Sequence, residues 1–267
     1  MLENGAYIIK DATIVTPTGT LRRGWLRVEG GRIAEIETGA VNSNIRKIDA
    51  RGRYLLPGFI DLHSDAIEKA LEPRPHVFFP QNMVIMEMDR LLAAGGITTI
   101  FHSVSFAEGE IGVRSNRMAT QVISEINRLA PDLNIRTMAH ARFEITDTGA
   151  VEFLEQLLSA GKINLLSLMD HTPGQGQFRE LTSFRKYYGV VYQKCEEELD
   201  RIIEQKCSAR ETMAANVERI SALCRSLGVP LASQQFPAVC RAHRRPGPRL
   251  PRGPLHCRRD LSCKRDS

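Results

Sequence analysis

The first fifty residues alternate between apolar and polar positions, which is typical of β-strands. The segment "WLRVEGGRIAEI" alternates up to Gly30-Gly31 and then alternates again. Two consecutive glycines tolerate the positive φ angles of a two-residue turn, so this segment predicts a β-hairpin. We therefore expect residues 1–54 to form a small β domain.

From residue 55 the pattern changes to short apolar runs separated by stretches with helical spacing. The strand-like runs are "YLLPGFIDLH", "ITTIFHSVS", "LNIRTMAHARFEI", "INLLSLMDH" and "GVPLAS". Two helical stretches, Glu196–Gln205 and Arg210–Leu227, precede the last run, and Ser208 with Glu211 has the spacing of a capping box for the second. Strands that alternate with helices indicate a parallel sheet, in a (β/α) barrel or an open doubly wound sheet. Residues 55–233 are thus predicted to form five βα units of an α/β fold.

The pattern ends after Ser233. Residues 234–267 contain five prolines, and eight arginines and one lysine against two aspartates give them a net charge of +7. The preceding residues hold 27 basic and 29 acidic side chains, so the body of the chain is mildly acidic. We expect the tail to be irregular and poorly packed. Its abrupt start is typical of out-of-frame translation of GC-rich DNA, and the alternative is a genuine basic tail that binds nucleic acid.

Composition narrows the class of protein. The chain has 267 residues, of which 42% are hydrophobic and 25% charged, as in ordinary globular proteins. No apolar run approaches the roughly 18 residues of a membrane span, and Glu3 and Lys10 flank an N-terminal apolar patch too short for a signal peptide. The six cysteines form no C-x-x-C pair, which favours a reduced chain. We expect a cytoplasmic protein that does not associate with membranes.

Each of the first four predicted barrel strands ends in residues that can ligate metals or transfer protons. In strand order they are His63 and Asp65, His102, His140 and Glu144, and Asp170 and His171. The carboxyl ends of parallel strands meet at one edge of a sheet, where ligands bind. Imidazole and carboxylate groups together suit Zn²⁺ or Mn²⁺. The sequence therefore predicts a divalent-metal site formed by His63, Asp65, Glu144 and His171. His102 suits either a ligand or a residue that supports the ligands from behind, and His76 suits a structural role.

Two loops beside these strand ends add groups that suit an anionic substrate. Lys69 and Arg74 follow the first barrel strand, and Gly174, Gly176 and Arg179 follow the fourth. Cationic side chains and exposed backbone N–H groups next to a metal favour a phosphorylated ligand.

The motifs "PGFIDLHSDAIEK", "PRP", "HARFEITD", "SLMDHTPGQGQF" and "GVPLAS" together resemble one family. It is the α-D-ribose 1-methylphosphonate 5-triphosphate diphosphatase family of the amidohydrolase superfamily, which acts in the bacterial carbon–phosphorus lyase pathway. The resemblance extends over about residues 5–233, and Asp65 stands where most of the superfamily has a second histidine. It implies a (β/α)₈ barrel, incomplete here, with a small N-terminal β domain.

The resemblance also implies a reaction and a role for each matching residue. Divalent ions such as Zn²⁺, Mn²⁺ or Mg²⁺ would activate water to hydrolyse the triphosphate of a small phosphorylated ribosyl phosphonate, releasing diphosphate, with no nucleic-acid partner. The implied metal ligands are His63, Asp65, Glu144 and His171, with Glu144 bridging two ions. The implied catalytic residues are Glu144 and Asp170, and the implied substrate-binding residues are Lys69, Arg74 and Arg142.

The sequence departs from the family after "GVPLAS". The family continues with a histidine, an acidic run and a later aspartate that acts as general base, whereas this chain continues with Gln234, Gln235 and Phe236. We therefore expect this chain to be at most weakly active. The alternatives are a cyclic-amide hydrolase of the same superfamily and a non-catalytic remnant whose basic tail binds nucleic acid.

Overall fold

The computed structural model describes residues 5–74, 77–108, 114–174, 178–191 and 195–233. The chain divides into two compact units. One comprises residues 1–104 with 121–140, and the other comprises residues 105–120 with the chain from Ala141 onward. The predicted basic tail, residues 234–267, lies outside the described residues.

The N-terminal sheet has five strands in the order β3-β2-β1-β4, with β5 also paired to β1. The strands are β1 (Tyr7–Thr16), β2 (Gly19–Glu29), β3 (Arg32–Thr38), β4 (Arg46–Asp49) and β5 (Tyr54–Leu55). The predicted hairpin is confirmed, because β2 and β3 pair antiparallel and Gly30 and Gly31 both have positive φ. One apolar cluster of this sheet comprises Ala12, Ile14 and Leu26, which come from inward-facing positions of β1 and β2.

The second sheet has five strands in the order β10-β9-β8-β7-β6, as expected for consecutive βα units. The strands are β6 (Phe59–Ser64), β7 (Ile97–Phe106), β8 (Arg136–Glu144), β9 (Leu165–Met169) and β10 (Leu231–Ser233). The pairs at both ends of this order, β6 with β7 and β9 with β10, are parallel. The α/β fold class, an incomplete (β/α)₈ barrel with a small N-terminal β domain, is therefore confirmed. The boundary placed at residue 54 stays a prediction.

Seven α-helices lie within the described residues. They are α1 (Ala66–Leu71), α2 (Gln81–Ala94), α3 (Asn116–Leu129), α4 (Ala150–Ser159), α5 (Leu181–Val191), α6 (Glu196–Ser208) and α7 (Arg210–Leu227). A 3₁₀ helix, Ala130–Asp132, follows α3. None of these helices combines the length and apolar character needed to cross a membrane.

Buried Asp89 of α2 fixes the segment that leads into β8. Its Oδ1 accepts a hydrogen bond from the backbone N of Ile135 at 3.0 Å. Its Oδ2 accepts from both the backbone N and the side-chain Nδ2 of Asn134, at 3.1 and 2.6 Å. A carboxylate that is 3% exposed needs such donors to offset the loss of its hydration. The start of the strand that carries His140 and Glu144 is therefore held by one side chain.

The run "YLLPGFIDLH", predicted as one strand, forms two. Its first residues form β5, which pairs with β1, and its last residues form β6, which pairs with β7. Pro57 has no backbone N–H to donate to a ladder, which explains the break. At Gly58 an added Cβ would lie 2.1 Å from Thr98 Cγ2, so only glycine allows this approach of the chain to β7.

Two further expectations about helices are wrong or incomplete. The segment of α5 was not predicted as a helix, because its aromatic and β-branched residues favour strands. Phe184 and Tyr188 lie four residues apart on α5 and pack with Phe178 and Leu199, and this burial outweighs the local preference. The capping box predicted at Ser208 is wrong: α7 has no side-chain cap, and the Ser208 hydroxyl instead donates to the carbonyl of Gln205.

Strand β6 is exposed along most of its length. Phe59, Ile60 and Leu62 keep 57%, 61% and 55% of their surface accessible. Within the part of the chain that the structure describes, β6 has one strand neighbour, β7. Strands β7 and β8, by contrast, bury most of their residues.

Candidate functional site

The end of β6 brings three candidate residues of the first compact unit together. His63 Nε2 lies 3.5 Å from Asp65 Oδ1, as expected for side chains two residues apart at a strand end. The ring of His63 meets the ring of His140 edge-on, with centroids 5.3 Å apart. Strand β6 ends at Ser64, so Asp65 is the residue that precedes α1. This group offers two imidazoles and one carboxylate, and we refer to it as the His63 group.

The Nδ1 atom of His140 has two hydrogen-bond partners. It lies 3.1 Å from the carbonyl oxygen of Leu62 and 3.2 Å from Ser103 Oγ. A carbonyl oxygen only accepts, so Nδ1 must be the donor. In the neutral ring this leaves the lone pair on Nε2, which is the tautomer that ligates a metal through Nε2.

His102 is buried within β7 and is 1% exposed. Burial lowers the pKa of its imidazole from 6.5 to about 4, and the charge of Asp61 partly opposes this shift. His102 is therefore neutral at neutral pH. A neutral, buried ring fits one of the two roles that the sequence allowed for His102, that of a residue that supports the metal ligands.

The second compact unit contains a buried group around Glu144, the last residue of β8. Glu144 Oε2 lies 2.9 Å from His171 Nδ1, and Oε1 accepts a hydrogen bond of 2.8 Å from the Thr146 hydroxyl. Lys206 of α6 places its Nζ 3.5 Å from Oε1. The side chain of Glu144 is 2% exposed, so a charged carboxylate there requires these partners. We refer to Glu144, Thr146, His171 and Lys206 as the Glu144 group.

Asp170, the predicted catalytic carboxylate, follows β9 and is 1% exposed. Its Oδ1 accepts a hydrogen bond of 2.9 Å from the backbone N of Thr172. This contact forms an Asx-type turn across His171, and it fixes the orientation of the carboxylate. A fixed orientation is compatible with a role in proton transfer, and that role stays a prediction.

A cavity of about 150 Å³ lies beside the Glu144 group. Its lining comes from the segments after β7 and β8 and from α5 and α6: Ala107, Glu108, Glu144, Thr146, Asp147, Thr148, Tyr188, Ile202, Gln205 and Lys206. This volume is well above the roughly 10–15 Å³ that a single water molecule requires. The cavity thus offers room for a small polar group next to Glu144.

One wall of the cavity is held rigidly by hydrogen bonds. Asp147 Oδ2 accepts from the backbone N of Glu108 at 2.7 Å and from Asn116 Nδ2 at 3.0 Å. Glu108 Oε2 in turn accepts from the backbone N of Asn116, the first residue of α3, at 2.9 Å. Both carboxylates therefore have structural partners, which explains their presence without a ligand.

The predicted substrate-binding residues differ in environment. Lys69 on α1 and Arg74 after it are exposed. Arg142 on β8 is buried, and one of its terminal nitrogens donates to Ser105 Oγ at 3.4 Å. Gly174 and Arg179 are exposed, and Gly176 and His76 lie outside the described residues. The assignment of Lys69, Arg74 and Arg142 to the substrate stays a prediction.

The predicted metal ligands fall into these two groups. His63 and Asp65 lie in one compact unit, and Glu144 and His171 lie in the other. Within the described ranges, no cluster of three or more His, Cys, Asp or Glu side chains has the arrangement to hold a metal ion. The chemistry of the donors nevertheless fits a divalent cation, because each pair offers an imidazole nitrogen and a carboxylate oxygen. The complete ligand set stays a prediction.

The sequence analysis singled out neither Thr146 nor Lys206, and Lys206 is the charged one of the two. It lies 62 positions beyond Glu144, in a helix rich in charged residues. A signal was present, because Lys206 continues the spacing of Leu199 and Ile203, which pack in the apolar cluster under α5. A lysine on the buried stripe of an amphipathic helix indicates a specific charged partner.

With the geometry described, the chain can be compared with known proteins. It is similar to the α-D-ribose 1-methylphosphonate 5-triphosphate diphosphatase of Escherichia coli (strain K12), with 32% identity over 189 residues, 70% of this chain and 50% of that protein. The chain thus spans about half the length of this relative. It is also similar to a D-hydantoinase from Ralstonia pickettii, with 36% identity over 105 residues, 39% of this chain and 21% of that protein.

Among solved structures, a crystal structure of D-hydantoinase is similar, with a TM-score of 0.44 and 20% identity over 85% of this chain and 56% of that one. No protein-family model matches the chain. The resemblance to the ribosyl phosphonate diphosphatases that the motifs predicted is confirmed by the match to the Escherichia coli protein.

Proposed function

We propose that the chain carries part of the active site of a metal-dependent hydrolase that acts on α-D-ribose 1-methylphosphonate 5-triphosphate. Water would cleave the anhydride bond between the α and β phosphorus atoms, giving the 5-phosphate and diphosphate. The observation that carries this proposal is the 32% identity over 189 residues to a diphosphatase of that specificity. The buried Glu144 group at the ends of neighbouring strands supports it, because it combines carboxylate, imidazole and ammonium groups beside a cavity.

Four side chains would hold the divalent ions: His63, Asp65, Glu144 and His171. When bound, such an ion lowers the pKa of coordinated water and neutralises charge on phosphate oxygens. The family's later general-base aspartate has no counterpart among these residues, so the proposal assigns its task to Asp170. This carboxylate, held by the N–H of Thr172, would accept a proton from the attacking water. Lys69, Arg74 and Arg142 would hold phosphate or phosphonate oxygens by charge-assisted hydrogen bonds.

The test is an assay of diphosphate release from the ribosyl triphosphate by the full 267-residue chain in the presence of Mn²⁺ or Zn²⁺. The Escherichia coli diphosphatase provides the positive control. We expect release that depends on added metal and that falls by about 10²–10⁴ in Asp170→Asn, the size usual for loss of a general base. The same comparison measures whether turnover is weak, as the sequence predicts. No metal-dependent release above the Asp170→Asn background would refute the proposal.

A second candidate is hydrolysis of a cyclic amide, which the similarity to a D-hydantoinase favours. The cavity beside Glu144 has more carboxylate than cationic groups, which suits an uncharged ring better than a triphosphate. Offering hydantoin and the ribosyl triphosphate to the same preparation separates the two candidates. Ring opening without diphosphate release would establish the amide hydrolase instead.

A further inference from the structure

Lys206 is placed to influence how tightly the Glu144 group binds a cation. Its residue surface is 9% exposed and its ammonium lies 3.5 Å from Glu144 Oε1. The same oxygen accepts from the Thr146 hydroxyl, and the other oxygen contacts His171. Both oxygens of the proposed bridging ligand therefore have partners within the chain.

A divalent ion and an ammonium cannot share one carboxylate without mutual repulsion. The Coulomb energy of two charges grows as their separation and the local dielectric constant fall, and this group is almost completely removed from water. Thr146 is uncharged and His171 can itself become a ligand, so neither opposes an incoming cation in this way. Lys206 is thus the member of the Glu144 group whose charge opposes metal binding.

The cavity provides a place to which the ammonium can move. It is lined by Lys206 together with Gln205, Thr146 and Thr148, whose oxygen atoms can accept hydrogen bonds. We propose that Lys206 sets the metal affinity of this site, an inference that rests on the proposed function because that function places a divalent ion on Glu144. The charge of Lys206 balances that of Glu144 and weakens divalent-cation binding. An incoming ion must either displace the ammonium or bind against its repulsion.

The test measures Mn²⁺ binding to the full chain by titration calorimetry. Changes to groups around metal ligands typically alter affinity by about 10- to 100-fold. We expect Lys206→Met to bind Mn²⁺ at least about tenfold more tightly than the wild type. Lys206→Arg keeps the positive charge and should bind as the wild type does. Lys186→Met removes the same charge from an exposed position on α5 and should also be unchanged.

Because Lys206→Met leaves a buried carboxylate without its ammonium, Lys206→Gln is made in parallel. Glutamine can still donate to Glu144 but carries no charge, so it should also tighten Mn²⁺ binding. Equal or weaker binding by both neutral variants, including no binding by any of the proteins, overturns the inference. Tighter binding that survives the double variant Lys206→Gln with Glu144→Gln overturns it too, because the ion then lies elsewhere.

These results are independent of turnover. Tighter Mn²⁺ binding in the neutral variants, combined with no diphosphate release from the ribosyl triphosphate, would sustain the role of Lys206 while refuting the proposed reaction. Metal-dependent diphosphate release with unchanged Mn²⁺ affinity in both neutral variants would do the reverse.

Discussion

Replacing Asp89 with alanine should strongly destabilise the chain, although Asp89 contacts no candidate site residue. This carboxylate on α2 accepts three hydrogen bonds from Asn134 and Ile135, directly before β8 begins at Arg136. Alanine accepts none of them. Because Ile135 is buried, its backbone N–H cannot exchange the lost bond for one to bulk water.

The magnitude follows from the donors left behind. A buried donor without a partner costs roughly 1–3 kcal/mol, and a hydrogen bond to a charged acceptor contributes about 1.5–3 kcal/mol. The side-chain Nδ2 of Asn134 can reach water, so the two backbone donors dominate, and we expect a loss of about 3–5 kcal/mol in the free energy of unfolding. Asp89→Asn retains one acceptor oxygen and should lose about half as much. Since domains are stable by about 5–15 kcal/mol, the alanine variant should be close to unfolding.

Urea denaturation followed by circular dichroism measures these differences. Glu87→Ala is the matched control, because Glu87 lies on the same helix but is exposed and pairs with Arg90 at the surface. Such surface pairs contribute little, so this control should differ from the wild type by less than about 0.5 kcal/mol. A loss below about 1 kcal/mol in Asp89→Ala would show that the carboxylate does not anchor β8 and would refute the reasoning.

Three further predictions use other buried contacts. The pKa of His102 is lowered to about 4 in the folded chain, so the unfolded chain takes up a proton at a higher pH than the folded chain does. The free energy of unfolding should therefore fall by about 2 kcal/mol between pH 7 and pH 5. His102→Gln should flatten that part of the pH profile, and an unchanged profile contradicts the assignment. Burial raises the pKa of the Cys224 thiol to about 11, so iodoacetamide at pH 8 should alkylate exposed Cys195 but spare Cys224 until urea unfolds the chain, as peptide mass spectrometry can show. Gly58→Ala should cost about 1–3 kcal/mol because its methyl group meets Thr98, and a failure of Thr98→Gly to restore stability in the double variant would place the strain elsewhere.

The strand and turn chemistry of the chain could be predicted from the sequence because the signals are local. Gly30-Gly31 specifies its own turn, and the apolar runs that end in His63, Glu144 and Asp170 are short and bounded. Helix α5 could not be predicted in the same way. Its residues favour strands locally, and the helix forms because Phe184 and Tyr188 are buried against Phe178, a contact that only the folded chain provides.

The candidate site shows the same limit. The spacing of His63 and Asp65 predicted that both side chains point to one face at the end of a strand. In the structure His63 Nε2 and Asp65 Oδ1 lie 3.5 Å apart. The contact of Lys206 with Glu144 joins a helix to a strand across 62 positions of sequence, and no local pattern encodes it. Long-range pairs of this kind depend on the packing of whole elements.

The exposure of β6 has a consequence for the order in which the chain loses structure. Among the described residues β6 pairs with β7 alone, and its Phe59, Ile60 and Leu62 are accessible, so it can detach by breaking a single ladder. Opening β8, by contrast, disrupts a buried core. Backbone amides of β6 should therefore exchange with deuterium far sooner than those of β8. Because His63 lies on β6, its position depends on the pairing of one strand, so it should be lost before the buried residues of β8 are exposed.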